Sequence, residues 1–167
     1  AACFAREGAK VVTWGRNLDK LERARYRIDD ASERLLPRLV DVADQDAVQT
    51  ATSEAIEVLG GVDILVNNAG TNERKQPEEY SLDEWQRIID TNLTSAFIAS
   101  QKAYPHMSRV GGGKIINIGS MMSIFGASFT VPYASSKGGI VQMTKGMACA
   151  WAKDNVQVNA VLPGWID

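Results

Sequence analysis

The chain has 167 residues, 45% of them hydrophobic, which is enough for one substantial core and too little for two. Its 18 basic and 20 acidic side chains leave a net charge of -2, which argues against a nucleic-acid partner, and no apolar run approaches the ~20 residues of a membrane span. Cys3 and Cys149 stand apart, with no CxxC pair and no spacing that points to a metal, a pattern that suits a reducing, cytoplasmic setting.

The chain opens inside a helical pattern, "AACFAREGA", whose Gly8 reads as a helix stop. A first strand, "KVVTW", leads into the helix "NLDKLERARYRI", where Leu21, Ala24 and Ile28 recur at helical spacing and the arginines form a solvated face. The strand "LPRLV", the helix "DQDAVQTATSEAIEVLG" and the strand "VDILV" follow. Two long helices, at about 82 to 108 and 132 to 153, flank the strand "KIINI", and "VQVNAV" closes the series. "GGG" at 111 to 113 precedes a strand rather than a helix, so it reads as a flexible turn and not a phosphate cradle. The lone His106 receives no role.

All five strands are rich in Val, Ile and Leu and read as buried on both faces. Their alternation with helices predicts an α/β fold: a doubly wound parallel sheet with helices on both faces, forming one domain over residues 1–167. Both ends look cut. No strand or glycine-rich turn precedes the opening helix, and "VNAVLPGWID" runs off a strand into a Pro-Gly loop, so the sequence reads as the middle of a longer protein.

Chemistry concentrates in "SMMSIFGASFTVPYASSK", residues 120 to 137. Tyr133 and Lys137 are four residues apart and share a helix face, which sets an ammonium beside a phenol. A tyrosine hydroxyl in water titrates near pH ~10, too high for a base at neutral pH, and a nearby cation favours the phenolate. Such a pair can take a proton from an alcohol while hydride leaves the same carbon, or donate it in the reverse direction. Ser120, ending the strand "KIINI", stands where doubly wound sheets place their ligands.

Five motifs in order, "NNAG" at 67 to 70, "IIDTNLTSAF" at 88 to 97, "KIINIGS" at 114 to 120, "YASSK" at 133 to 137 and "VNAVLPGWI" at 158 to 166, resemble the short-chain dehydrogenases/reductases. The resemblance covers essentially the whole chain. It implies an NAD(P)-linked oxidoreductase acting on secondary alcohols or ketones, with Tyr133 as general acid/base, Ser120 orienting the substrate oxygen, Lys137 binding the nicotinamide ribose and Asn92 positioning a water. It further implies the strand order 3-2-1-4-5-6, with the family's first strand and glycine-rich turn upstream of Ala1. The strands holding residues 11 to 14 and 63 to 66 are then not expected to pair.

For the cofactor, the position where NAD-preferring relatives carry an acidic residue holds Gly15, followed by Arg16. A glycine beside a guanidinium suits a 2'-phosphate and points to NADP over NAD. Asp41 and Val42 resemble an adenine-contacting pair; Asn68, Ala69 and Gly70 resemble the adenosine-ribose wall; Pro163, Gly164 and Ile166 resemble the nicotinamide edge. Alternatives stand beside several of these roles. Ser120 could cap a turn, with Ser123 and Ser128 nearby; Asn92 could be a buried amide serving the backbone; Asp41 could start a helix.

"NERKQP…DEWQRIIDTNLTSAF" resembles the gluconate 5-dehydrogenase and 2-deoxygluconate 3-dehydrogenase branch, which implies a sugar acid or polyol substrate with Arg74 on its carboxylate. The competing view takes Arg74 and Lys75 as solvated charges balancing Glu73, Glu78 and Glu79. Two further functions remain open: reduction of a 3-oxoacyl thioester on a carrier protein, and a non-catalytic cofactor-binding homologue. The two long helices are the ones this family pairs across a two-fold axis, and with Phe97, Ile98, Met143, Met147 and Trp151 they look more apolar than one buried face requires. That implies a homodimer or homotetramer.

Overall fold

The computed structural model describes residues 1–27 and 29–165, so Ile28 and Ile166 lie outside the described residues. A short helix, α1 (Ala2–Arg6), ends before Gly8, whose φ of 96° is open to glycine and strained for other residues. Strand β1 (Val11–Gly15) follows, then α2 (Leu18–Tyr26) and β2 (Leu35–Leu39). β1 and β2 pair in parallel, with Val11 opposite Leu35 and Gly15 opposite Leu39. α3 (Gln45–Leu59) is capped by Asp44, whose carboxylate accepts the Ala47 N–H at 3.0 Å, and it stops at Gly60 in the left-handed region.

The second half carries β3 (Ile64–Asn67), α4 (Leu82–Ile89), α5 (Ser95–Arg109), β4 (Gly113–Ile118), α6 (Val131–Trp151) and β5 (Val156–Val161). These strands form a separate parallel sheet in the order β3-β4-β5. Among the described residues β1 and β3 do not pair, as the implied strand order requires. Parallel neighbours need long crossovers, and helices supply each of them.

Three apolar clusters hold the layers together. Ala5 of α1 packs with Leu35 and Val11 on one face of the two-stranded sheet. Val48 of α3 with Ile98 and Ala99 of α5 packs on Trp14 and Leu65, reaching both sheets. The largest cluster sets Ala103 and Met107 of α5 and Met147 of α6 against Ile115, Val156 and Val158. Val11 and Trp14 point to opposite faces of β1, so helices cover both sides of the two-stranded sheet.

The strands are less buried than their composition predicts. In β3-β4-β5 the row Leu65, Ile115, Val158 faces α5 and α6, and Ile115 is fully buried. The neighbouring residues Ile64 and Val66 are 44% and 41% exposed. Among the described residues, helices cover that sheet on one face, and burial therefore alternates along its strands. The helix surfaces also differ from expectation. Ile98 and Met147 are core residues and Met143 and Trp151 pack against the core, which leaves Phe97 as the exposed member of the set.

Between α4 and α5 the helix passes through a π-helical turn, Asp90–Thr94, closed by the Ser95 N–H on the Asp90 carbonyl. α4 begins on Ser81, whose hydroxyl accepts the Glu84 N–H at 3.2 Å while Glu84 accepts the Ser81 N–H at 2.9 Å. The π turn matters for the site, because it carries Asn92.

Candidate active site

The C-terminal ends of parallel strands gather unpaired backbone groups and loop residues at one edge of a sheet, where ligands bind in open α/β folds. Here that edge opens a cavity of about 470 Å³. Asn68 and Gly70 follow β3, Ser120 follows β4, and Pro163 and Gly164 follow β5; Tyr133 and Lys137 enter from the first turns of α6, and Arg74 and Phe129 from two loops. The residues singled out at the end of β4, on α6 and in "NERK" thus meet in one space.

Lys137 is 4% exposed. Its ammonium donates to the Ile118 carbonyl at 2.6 Å and lies 5.8 Å from the centroid of the Tyr133 ring. One N–H is spent on that carbonyl, which leaves the others for the cavity. Burial pushes the Lys137 pKa below its ordinary value. Gly70 keeps the cavity open beside it, since a Cβ there would stand 3.6 Å from the ammonium and 3.7 Å from the Asn92 carboxamide oxygen.

Asn92 is 2% exposed, and both ends of its amide are used. The oxygen accepts the Thr71 N–H at 2.7 Å; the nitrogen donates to the Thr71 carbonyl at 2.9 Å and to Ser136 Oγ at 3.0 Å. Ser136, fully buried, donates in turn to the Tyr133 carbonyl at 2.7 Å. The loop after β3, the π turn and the start of α6 are thereby tied into one unit. Asn92 is the buried amide of the alternative reading, and it braces the first turn of the helix that carries Tyr133.

Ser120 caps a turn and also faces the cavity. Its Oγ accepts the Met122 N–H at 3.2 Å, capping the turn Met121–Ser123, and it lines the cavity. As an acceptor there it keeps its own proton free to donate to a ligand oxygen. Ser123 is occupied elsewhere, donating to the Lys137 carbonyl at 2.7 Å and accepting the Ser120 N–H at 3.2 Å.

The segment "NERK" is resolved residue by residue. Lys75 pairs with Glu84 and Glu73 with Arg87, so the flanking charges are neutralised locally. Arg74 has no ion pair among the described residues, lines the cavity, and sets its guanidinium 5.5 Å from the centroid of the Phe129 ring. Lys75 and Glu73 are thus balanced by Glu84 and Arg87 of α4 rather than by one another, while Arg74 is exposed at the cavity.

The family model for short chain dehydrogenase matches residues 1–167. The chain belongs to the short-chain dehydrogenase family. Gluconate 5-dehydrogenase of Gluconobacter oxydans is 37% identical over 162 residues, covering 97% of this chain and 63% of that protein. A 2-dehydro-3-deoxy-D-gluconate 5-dehydrogenase of Bacillus subtilis is 39% identical, covering 99% of this chain and 65% of its own length. The crystal structure of a gluconate 5-dehydrogenase from Burkholderia cenocepacia J2315 in complex with NADP and tartrate superposes with a TM-score of 0.88 at 35% identity, over 98% of this chain and 64% of that one. The chain thus spans somewhat less than two thirds of each.

In this short-chain dehydrogenase the remaining expected positions also sit at strand ends. Gly15 ends β1, and a Cβ there would come 3.3 Å from Leu21; Arg16 follows it, exposed and without an ion pair among the described residues. Asp41 accepts the Ala43 N–H at 3.0 Å and shapes the loop after β2, while the helix start belongs to Asp44. Val42 is drawn into the α3–α5 cluster. Ala69 lies between Asn68 and Gly70 in the loop after β3. Ile166 lies outside the described residues. Sequence reasoning overlooked Ser136, Thr71, Phe129 and Thr130. Ser136 stood in plain view in "YASSK", but its bond to Asn92 spans 44 positions and has no local signature.

No group of three or more metal-ligating side chains occurs among the described residues, and no described helix is long and apolar enough to cross a membrane.

Proposed function

We propose that the protein transfers hydride between NADP and a secondary alcohol of a sugar acid or related polyol, within a single nucleotide-binding domain to which this chain contributes. The observation that carries the reading is the convergence of Ser120, Tyr133, Lys137 and Arg74 on one cavity. The nicotinamide supplies the hydride acceptor or donor when bound. The residues present fit such a cofactor. Lys137 has N–H groups free to meet a ribose hydroxyl, Gly70 leaves room beside them, and Arg16, without an ion pair among the described residues, follows the end of β1, where it could meet a 2'-phosphate with charge-assisted hydrogen bonds.

The chain's own steps follow from the donor set. Ser120 donates to the substrate oxygen and fixes its direction. Tyr133 takes the hydroxyl proton in oxidation and returns it in reduction. Lys137, close to the Tyr133 ring and barred from bulk water, stabilises the negative charge that develops on the phenol oxygen as the proton moves. Asn92, through Ser136, holds the backbone of Tyr133 in place and, by the family resemblance, orders a water beside Lys137. Arg74 binds the carboxylate of the substrate with its planar pair of N–H donors.

A homodimer or homotetramer in the cytoplasm completes the reading, with Phe97 at 44% exposure on the α5 surface as the apolar anchor of the contact. The test is turnover by the complete protein with NADPH and NADH against a panel of hexonates, polyols and acyl-thioester surrogates. Preference for NADPH and for hexonates is expected. A strong preference for NADH refutes the 2'-phosphate role of Arg16, and turnover of thioesters alone refutes the sugar-acid assignment.

A further inference from the structure

We infer that Tyr80 is a positioning residue for substrate selection, because its hydroxyl bolts together the two loops that carry Arg74 and Phe129. The inference rests on the substrate reading of the cavity given above. Tyr80 lies at the far end of the loop after β3, and its phenol oxygen reaches three backbone groups from the two loops. It donates to the Glu73 carbonyl at 2.6 Å, receives the Lys75 N–H at 3.3 Å, and stands 3.3 Å from the Phe129 carbonyl. The Lys75 N–H also donates to that Phe129 carbonyl at 3.2 Å.

Glu73 and Lys75 bracket Arg74, so the one hydroxyl engages the residues on either side of the guanidinium. Phe129 is the ring beneath it. The ion pairs Glu73–Arg87 and Lys75–Glu84 anchor the same bracket to α4. Arg74 itself is exposed and has a long side chain with rotamer freedom to lose on binding. A backbone held at both flanks and a ring beneath the guanidinium reduce that loss before the ligand arrives. Tyr80 does not itself line the cavity; it reaches it only through the backbone of the loops that carry Arg74 and Phe129, so it acts through Arg74 and not on the chemistry.

Tyr80→Phe in the complete protein keeps the ring and removes only the hydroxyl. We expect the KM for a hexonate to rise roughly three- to tenfold, the loss of one ordinary hydrogen bond, with kcat changed by less than about twofold. In an Arg74→Ala background the same substitution adds nothing, since the two act on one contact. An equal rise in KM in both backgrounds, or none in either, overturns the inference, as does a loss confined to kcat. Amide hydrogen exchange gives a second readout that needs no turnover. Residues 71–80 and 127–130 exchange faster in Tyr80→Phe while α6 does not; unchanged exchange in both loops overturns the inference. Should the parent protein turn over none of the substrates, the proposed function falls, and the exchange result still decides the role of Tyr80.

Discussion

The floor and the roof of the cavity are built on opposite principles. On the floor, meaning its buried side, Lys137 lines the cavity while Asn92 and Ser136, which do not line it, brace the surrounding backbone; the three are between 0% and 4% exposed, and each is hydrogen-bonded to another element of the fold. On the roof, Phe129 is 38% exposed and Trp165 73%, and Arg74 is held by stacking and by its neighbours rather than by burial. In the proposed reaction the floor is where charge would develop during proton transfer, and a fixed, water-poor environment makes each dipole count for more. In the proposed reaction the roof would admit and release a polar substrate, which a buried guanidinium could not do without a large desolvation cost. Under the proposed function, the contrast would put rate on the floor and selection on the roof.

Three substitutions sharpen or break that division. The largest effect is expected on the floor. Tyr133→Phe removes the proton carrier and should lower kcat by roughly 10²- to 10⁴-fold, with the KM for substrate little changed, as measured by steady-state kinetics of the complete protein. Retained turnover would place the acid/base elsewhere. On the roof, Arg74→Ala should raise the KM for a hexonate about tenfold while sparing a neutral polyol of similar length. If both substrates lose equally, the roof is not selecting carboxylates.

The smallest effect concerns the anchoring of the roof and is read through pH. The Lys75 ammonium and the Ser81 N–H hold the Glu84 carboxyl at about 2, below its ordinary value of 4.5. A carboxyl depressed in the folded state binds fewer protons there than in the unfolded chain, so its stabilisation is complete above about pH 4.5 and is lost as the pH falls toward 2. Lys75, raised by the same pair, loses its share only at alkaline pH, above its ordinary value of 10.5. Glu84→Gln should therefore lower stability slightly at pH 7, where the pair is fully formed, and less at pH 3, which flattens the acid limb of a stability-versus-pH curve; the effect is small because both side chains are partly solvent-screened. Denaturant melts at pH 3 and pH 7 check this, and an unchanged acid limb would mean the pair contributes nothing measurable to holding the roof.

Much of the molecule was legible in the chain alone, wherever the governing rule acts over a few neighbours. Helical spacing joins Tyr133 to Lys137, and the alternation of short apolar runs with longer periodic ones sets out five strands and their crossovers in the right places. Ser120 stands at a strand end, where such sheets bind ligands, and it lines the cavity. What only the tertiary structure decided depends on partners far away in sequence. Ile64 and Val66 look as buried as Leu65, yet they lie on the face that no described helix covers. Ile98 and Met147 look like interface residues, yet the chain's own core takes them up. Arg74 and Lys75 are adjacent and chemically alike; Glu84, nine positions on, claims one and leaves the other to the cavity. Side-chain chemistry and local period are properties of a short stretch, whereas burial and pairing are settled by which surfaces arrive opposite, and that is a property of the folded chain.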